Sequence, residues 1–142
     1  MKALLDTSVL VATFYEEHDH HEPSFGVFTR FAKRDVCCAS HSLAEVYATL
    51  TSMPGRDRVS GTDAVLFLKS IQARLSLVYL NSEEYLAVTE SAAACGLSSG
   101  GIYDALIGHC ALKAKAQTLY TWNLKHFQRL APAIARRVKS PA

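Results

Sequence analysis

The sequence predicts an α/β protein, a three-layer α/β/α sandwich whose central sheet is mainly parallel and has four to five strands. Three observations lead there. Short apolar or β-branched runs alternate with longer stretches of helical period, the pattern of a parallel sheet covered by helices on both faces. Helix breakers and caps fall between those stretches and not within them. The chain has 142 residues, of which 49% are hydrophobic, enough for one domain with a core that needs no disulfide or metal staple. Residues 1–142 are therefore read as a single domain, and disordered, collagen-like and low-complexity architectures are excluded.

The first strand is expected near Lys2–Leu5, where Ala3-Leu4-Leu5 is ended by the carboxylate of Asp6. A helix follows near Ser8–Tyr15, which Asp6, Thr7 and Ser8 can all cap, and another near His20–Arg34. The second strand, Asp35–Ala39, leads into a helix over Ser42–Ser52 with Leu43, Val46, Tyr47 and Leu50 on one stripe, and Pro54-Gly55 closes that unit. The helix Gly61–Arg74 carries Ala64, Leu68, Ile71 and Leu75 on one stripe with Val65 and Phe67 beside it, more apolar surface than a single core contact uses. A strand over Leu75–Tyr79 precedes the helix Ser82–Cys95, opened by Ser82 as cap with Glu83 and Glu84 in its first turn. Gly100-Gly101 introduce the helix Gly101–Lys115, pinned to the core by Ile102, Leu106 and Cys110. Strands near Thr118–Thr121 and Arg136–Val138 enclose the last helix, Leu124–Ala131.

Apolar stretches such as Val9–Ala12 and Leu75–Leu80 are far shorter than the roughly 20 residues that cross a bilayer. Asp6 interrupts the place where a secretory signal needs an unbroken apolar run. A cytoplasmic protein is expected. Cys37, Cys38, Cys95 and Cys110 have neither C-x-x-C nor zinc spacing and read as buried free thiols. The net charge of +2 conceals an asymmetry. Residues 1–104 hold all 13 acids against 8 Lys and Arg, whereas residues 105–142 hold 7 bases and no acid. Such an end suits a polyanion, and serves equally as a solvated face.

In open α/β sheets ligands gather at the carboxyl ends of the strands, so polar residues just beyond strands are the candidates. Asp6 follows the first strand directly. It also has the place of a helix N-cap. Glu45 lies early in the helix after the second strand, although its position opposite the apolar stripe assigns it to solvent. Asp104 stands three residues beyond Gly101, where an acid favours the helix dipole, while the paired glycines permit close approach of a ligand to backbone. Asn123 follows Leu119-Tyr120-Thr121 and has a capping position of its own. Together the four converge on one sheet edge, and a set of carboxylates with one amide suits Mg²⁺ or Mn²⁺ rather than zinc.

Four segments in sequence resemble the successive motifs of the PIN-domain nucleases: Asp6-Thr7-Ser8-Val9-Leu10-Val11, Ser42-Leu43-Ala44-Glu45-Val46, Gly100-Gly101-Ile102-Tyr103-Asp104-Ala105-Leu106-Ile107 and Thr121-Trp122-Asn123-Leu124-Lys125-His126-Phe127. In size the chain is most similar to the VapC-type toxins of bacterial toxin–antitoxin modules. The resemblance implies that Asp6, Glu45 and Asp104 bind metal, that Ser8 and Thr121 orient the site, and that Asn123 falls where many members carry a fourth acid. It further implies an endoribonuclease using Mg²⁺ or Mn²⁺ to activate water, leaving a 5′-phosphate and a 3′-hydroxyl. An antitoxin covering the helices near Ser8–Arg34 and Gly61–Arg74, an RNA substrate and a homodimer are the implied partners. Three carboxylates supply −3 against +4 for two divalent ions, so one ion is expected to be held by protein and a second to arrive with substrate phosphate.

Two rival readings remain. A module that binds RNA or a partner without efficient cleavage uses the same pocket, with Asn123 thinning the acids. A response-regulator-like phosphoacceptor shares sheet and acids but wants paired acids after the first strand, where Thr7-Ser8 stand. Elsewhere, the run His18-Asp19-His20-His21-Glu22 has the i, i+4 ligand spacing only for His18 and Glu22 and reads as a surface helix start. His41 and His109 lack a nucleophile partner. Trp122 reads as rim packing or as a base-stacking residue, and Arg56 and Arg58 as a solvated loop.

Overall fold

The computed structural model describes residues 1–142. Five strands, β1 (Ala3–Leu5), β2 (Val36–Ala39), β3 (Ser76–Val78), β4 (Thr118–Tyr120) and β5 (Val138–Lys139), form one sheet in the order β3-β2-β1-β4-β5. Every pairing is parallel. Leu4 lies beside Cys37 of β2 and Leu119 of β4, which makes β1 the central strand.

Both faces of the sheet are buried, so the strands read as apolar runs. Their period of two nevertheless sorts the side chains. Ala3, Leu5, Val36 and Cys38 join the core under α1 (Thr7–Phe14), α2 (His21–Arg30), α3 (Ser40–Thr51) and α4 (Gly61–Arg74). Leu4, Cys37 and Ala39 join the opposite core under α5 (Ser82–Ala94), α6 (Gly101–Lys113), α7 (Leu124–Gln128) and α8 (Pro132–Ala135). These are the three expected layers. No helix is long and apolar enough to cross a membrane.

The chain leaves β1 toward β2 and β3 on one side and returns to β4 and β5 on the other. The carboxyl ends of β1 and β4 are therefore the point where the winding direction reverses, the place where an open α/β sheet leaves a crevice. Asp6 follows β1, Thr121-Trp122-Asn123 follows β4, and Ser40 opens α3 immediately after β2.

Several boundaries differ from expectation. α2 stops at Arg30 rather than Arg34, because Phe31 is extended and Lys33–Asp35 form a 3₁₀ turn into β2. The carbonyls of Phe28 and Thr29 near its end accept hydrogen bonds from the Arg74 guanidinium, at 3.0 and 2.6 Å, a contact from α4. α3 begins at Ser40, two residues early. The cap of α5 is Asn81, not Ser82: its side chain accepts from the Glu84 N–H, and Glu84 reaches back to the Asn81 N–H, a complete capping box. α6 ends at Lys113, beyond which Lys115 has φ 56°. The expected helix Leu124–Ala131 is shorter, ending at Gln128 as α7, and an unexpected helix, α8, follows it. Ala131 is held extended before Pro132, which then opens α8 at its first position. β5 sits at Val138–Lys139, two residues after its expected start. Cys37, Cys38 and Cys110 are buried free thiols, but Cys95 is exposed.

Candidate active site

One cavity of about 520 Å³ opens at the crevice, and Asp6, Glu45, Asp104 and Asn123 all line it. No Lys or Arg is among its lining residues.

Asp6 is 2% exposed. Its Oδ2 accepts hydrogen bonds from the Thr121 hydroxyl (2.8 Å), the Ser8 hydroxyl (2.8 Å) and, at 3.4 Å, the Ser8 N–H. The last is the capping contact foreseen for α1, so cap and site residue are one group. Burial pushes the Asp6 pKa up, opposed by the hydrogen bonds from Thr121 and Ser8 and from the backbone of Thr7 and Ser8. Thr121 is fully buried and stands behind Asp6 without lining the cavity. Its Oγ1 also accepts from the Asn123 N–H (2.9 Å), while the Ser8 Oγ accepts from the Trp122 N–H (3.0 Å). The segment after β4 is thus tied to the segment after β1 through the two hydroxyls that hold the carboxylate.

Glu45 is half-buried, contrary to the solvent position its helical phase assigns. The first two turns of α3 lie over the sheet edge, where Ser42 is buried against Thr7 at 2.9 Å between hydroxyl oxygens. The Thr7 hydroxyl donates to Glu45 Oε1 at 3.0 Å, and His41 Nε2, one turn earlier, is 3.6 Å from the same oxygen. Burial raises the Glu45 pKa, the Thr7 hydrogen bond and His41 lower it, and repulsion from Asp6 raises it again. The wall of the site, not the core, buries this face of the helix.

Asp104, in the first turn of α6, has its pKa pushed up to about 6. Burial is the main cause, followed by repulsion from Asp6. His126 and Arg129 pull it down and Glu45 pushes it up. The His126 Nδ1 lies 3.7 Å from Asp104 Oδ2. No protein element closes on the paired glycines before it: a Cβ on Gly100 would meet nothing within 4 Å, and one on Gly101 only the Leu97 side chain at 3.7 Å.

Asn123 is exposed at the cavity mouth and its side chain makes no cap hydrogen bond to α7, so the capping alternative fails. Lys113 is engaged with Glu84 at 2.8 Å, and Arg137 with the carbonyls of Ala133 and Ala116, which removes both from a free basic face. Arg58 likewise donates to the Met53 carbonyl.

Three residues at the mouth were not among the candidates: His18, His20 and Thr49. Helix α2 starts at His21, so the run is the expected helix start, with His18–His20 in the turn before it, and His18 and Glu22 do not share helical spacing. His109 lies away from this cavity, in a small apolar one with Leu130 and Ile134.

No three His, Cys, Asp and Glu side chains form a group that could hold a metal ion as they stand. Mg²⁺ does not require one, since it keeps several waters and is bound through one or two carboxylates together with substrate phosphate. Three mutually repelling carboxylates in a cavity without Lys or Arg are hard oxygen donors that fit such a cation.

Comparison with known proteins agrees with this geometry. Residues 3–131 match the PIN domain family. The chain is 33% identical over 114 residues to Ribonuclease VapC40 of Mycobacterium tuberculosis, an overlap of 80% of this chain and 81% of that one. The fold superposes on the Mycobacterium tuberculosis sarcin-ricin loop cleaving toxin VapC20 with a TM-score of 0.72 at 14% identity, covering 88% and 92% of the two chains. It also superposes on Rickettsia felis VapBC2, solved bound to a DNA fragment from its promoter, with a TM-score of 0.67 at 20% identity over 99% and 98%. A match spanning nearly the whole chain, with the acids of its motifs gathered at the strand ends where the winding reverses, makes this chain a member of the PIN domain family.

Proposed function

We propose that this protein is an endoribonuclease, the toxin of a VapBC-type toxin–antitoxin pair, which hydrolyses RNA phosphodiester bonds with Mg²⁺ or Mn²⁺ in the acidic cavity. The observation that carries the reading is the convergence of Asp6, Glu45 and Asp104 on one cavity without Lys or Arg, in a chain 33% identical to a ribonuclease.

Asp6 is the fixed member. Two hydroxyl donors and a backbone N–H hold Oδ2 and leave Oδ1 free of these contacts to face a ligand. Glu45 and Asp104 are partly exposed, at 31% and 23% of their side chains, and can adjust to an ion and a phosphate. When bound, the divalent ion lowers the pKa of an attacking water and offsets charge on the phosphoryl group and the departing oxygen. Asn123 offers a neutral amide at the mouth. Arg129, close enough to bias Asp104, and Lys125 supply positive charge for the RNA backbone without reading sequence. No Ser or Cys nucleophile is required, because the hydroxyls of Ser8 and Thr121 are committed to Asp6.

The antitoxin is proposed to cover α2 and α4, which expose Phe25 (50%), Val65 (42%) and Leu66 (54%). A homodimer is proposed as the assembled form of the toxin.

The test is to map new 5′-phosphate ends in total RNA minutes after inducing the protein, beside Asp104→Asn. Ends at a few sites that need the unmutated chain and, with purified protein, added Mg²⁺ or Mn²⁺ are the expected result. Identical end profiles from two folded proteins would replace cleavage with binding alone.

A further inference from the structure

Trp122 follows Thr121 just beyond β4, and it is fixed at two points, one on its backbone and one on its indole. The backbone N–H donates to Ser8 Oγ at 3.0 Å, and the indole Nε1–H donates to the fully buried Ser24 hydroxyl at 2.8 Å. Core packing alone sets no such orientation. One face of the ring is covered by the His20 imidazole, with centroids 3.7 Å apart and planes 9° from parallel. His20 is exposed, belongs to the turn before α2 and makes no side-chain cap hydrogen bond to that helix. Both rings line the cavity that holds Asp6, Asp104 and Asn123. An anchored indole beside the acids is therefore masked by a small flat ring whose other aromatic neighbour is His18, with centroids 5.6 Å apart.

We infer that the Trp122 face covered by His20 is a nucleobase subsite: an unpaired base next to the bond to be cut displaces the imidazole and stacks on the indole. The inference rests on the ribonuclease reading and deepens it. Proteins that take single-stranded RNA use aromatic faces for bases because every base has a π-face, and the parallel imidazole shows that the space admits a flat ring. Duplex RNA, whose bases are already stacked, cannot use this platform. The site would select single-stranded or loop RNA, with a preference set by stacking strength.

Trp122 is the only tryptophan in the chain, so its emission reports the platform directly. The experiment titrates full-length Asp104→Asn protein, with Mg²⁺, with an end-labelled ten-nucleotide oligouridylate and with an abasic strand of the same length, reading label anisotropy and tryptophan emission together. The oligouridylate is expected to quench Trp122 in step with anisotropy, whereas the abasic strand binds without quenching. Adding His20→Ala is expected to tighten oligouridylate binding about twofold or more, since the competent face is no longer occupied. Adding Trp122→Leu is expected to weaken oligouridylate about tenfold, the loss of one base stack, and to leave the abasic strand unchanged. Circular dichroism monitors folding; if the Leu variant unfolds, the quenching comparison and the exposed His20 variant decide. Binding by anisotropy with unchanged emission, equal behaviour of the two strands, or weaker binding of the His20→Ala protein would overturn the subsite while leaving cleavage by the unmutated chain intact. If neither strand binds and the unmutated chain cuts nothing, the subsite and the ribonuclease reading fall together.

Discussion

At the scale of single residues, the site is a conflict between burial and charge. Asp104 has a folded pKa of about 6 against 3.8 for an ordinary Asp, so the folded chain holds its proton more tightly than the unfolded chain does. Stability from this group is complete below pH 3.8 and is lost as pH rises through about 6. In metal-free protein, Asp104→Asn should therefore raise stability at pH 7 by about 1–2 kcal/mol, allowing for its partial exposure. The gain should vanish in denaturant melts below the pKa of an unfolded Asp. A stability difference that does not depend on pH would mean that charge is not the cause. Asn123 tests the other side of the balance. If a charge at this position tunes a second ion, as proposed, Asn123→Asp, which adds a fourth carboxylate at the mouth, should tighten Mn²⁺ binding by about tenfold; calorimetric titration giving equal affinities for the two proteins would remove that role.

At the scale of elements, the cavity depends on how α6 sits over the sheet. Gly108 is buried where α6 crosses α8: an added Cβ would meet Ile134 side-chain carbons at 3.0 Å and Leu130 Cδ1 at 3.2 Å. Gly108→Ala should gain some helix propensity but lose more to crowding, for a net cost of about 1–3 kcal/mol. Because Asp104 is one turn earlier, the same variant should also lower cleavage. Thermal melts and rates measured together check this, and a variant as stable as the parent would show that α8 moves aside freely. Periodicity carries one helix through to Ala131 and leaves α8 out, although Pro132 both releases Ala131 from helix and starts a new one. The end of α2 was not legible either, because the group that satisfies its carbonyls, Arg74, lies on another helix.

At the scale of the whole molecule, the acids come from three separate chain regions, so a cation bridging them favours the folded state. Mn²⁺ should raise the melting temperature of the unmutated chain, the gain growing with the logarithm of concentration once the site is filled. Asp104→Asn should show a much smaller gain, and chelation should reverse both. Equal shifts in the two proteins would place the ion elsewhere.

The layered fold, the order of the strands and every helix but α8 were legible in the sequence. Periodicity, breakers and caps are local, and they act before any contact distant in sequence forms. Motif resemblance supplied Glu45, which helical phase alone assigned to solvent. That Glu45 is half-buried and that Thr121 holds Asp6 from behind rather than facing the cavity follow from tertiary packing alone. Packing also brings His18 and His20, at the start of α2, into the cavity lining and sets His20 flat against Trp122, about a hundred residues away in sequence. The reason is common to all of these. A side chain's exposure, pKa and partners depend on which distant element packs beside it, and neighbours along the chain do not specify that.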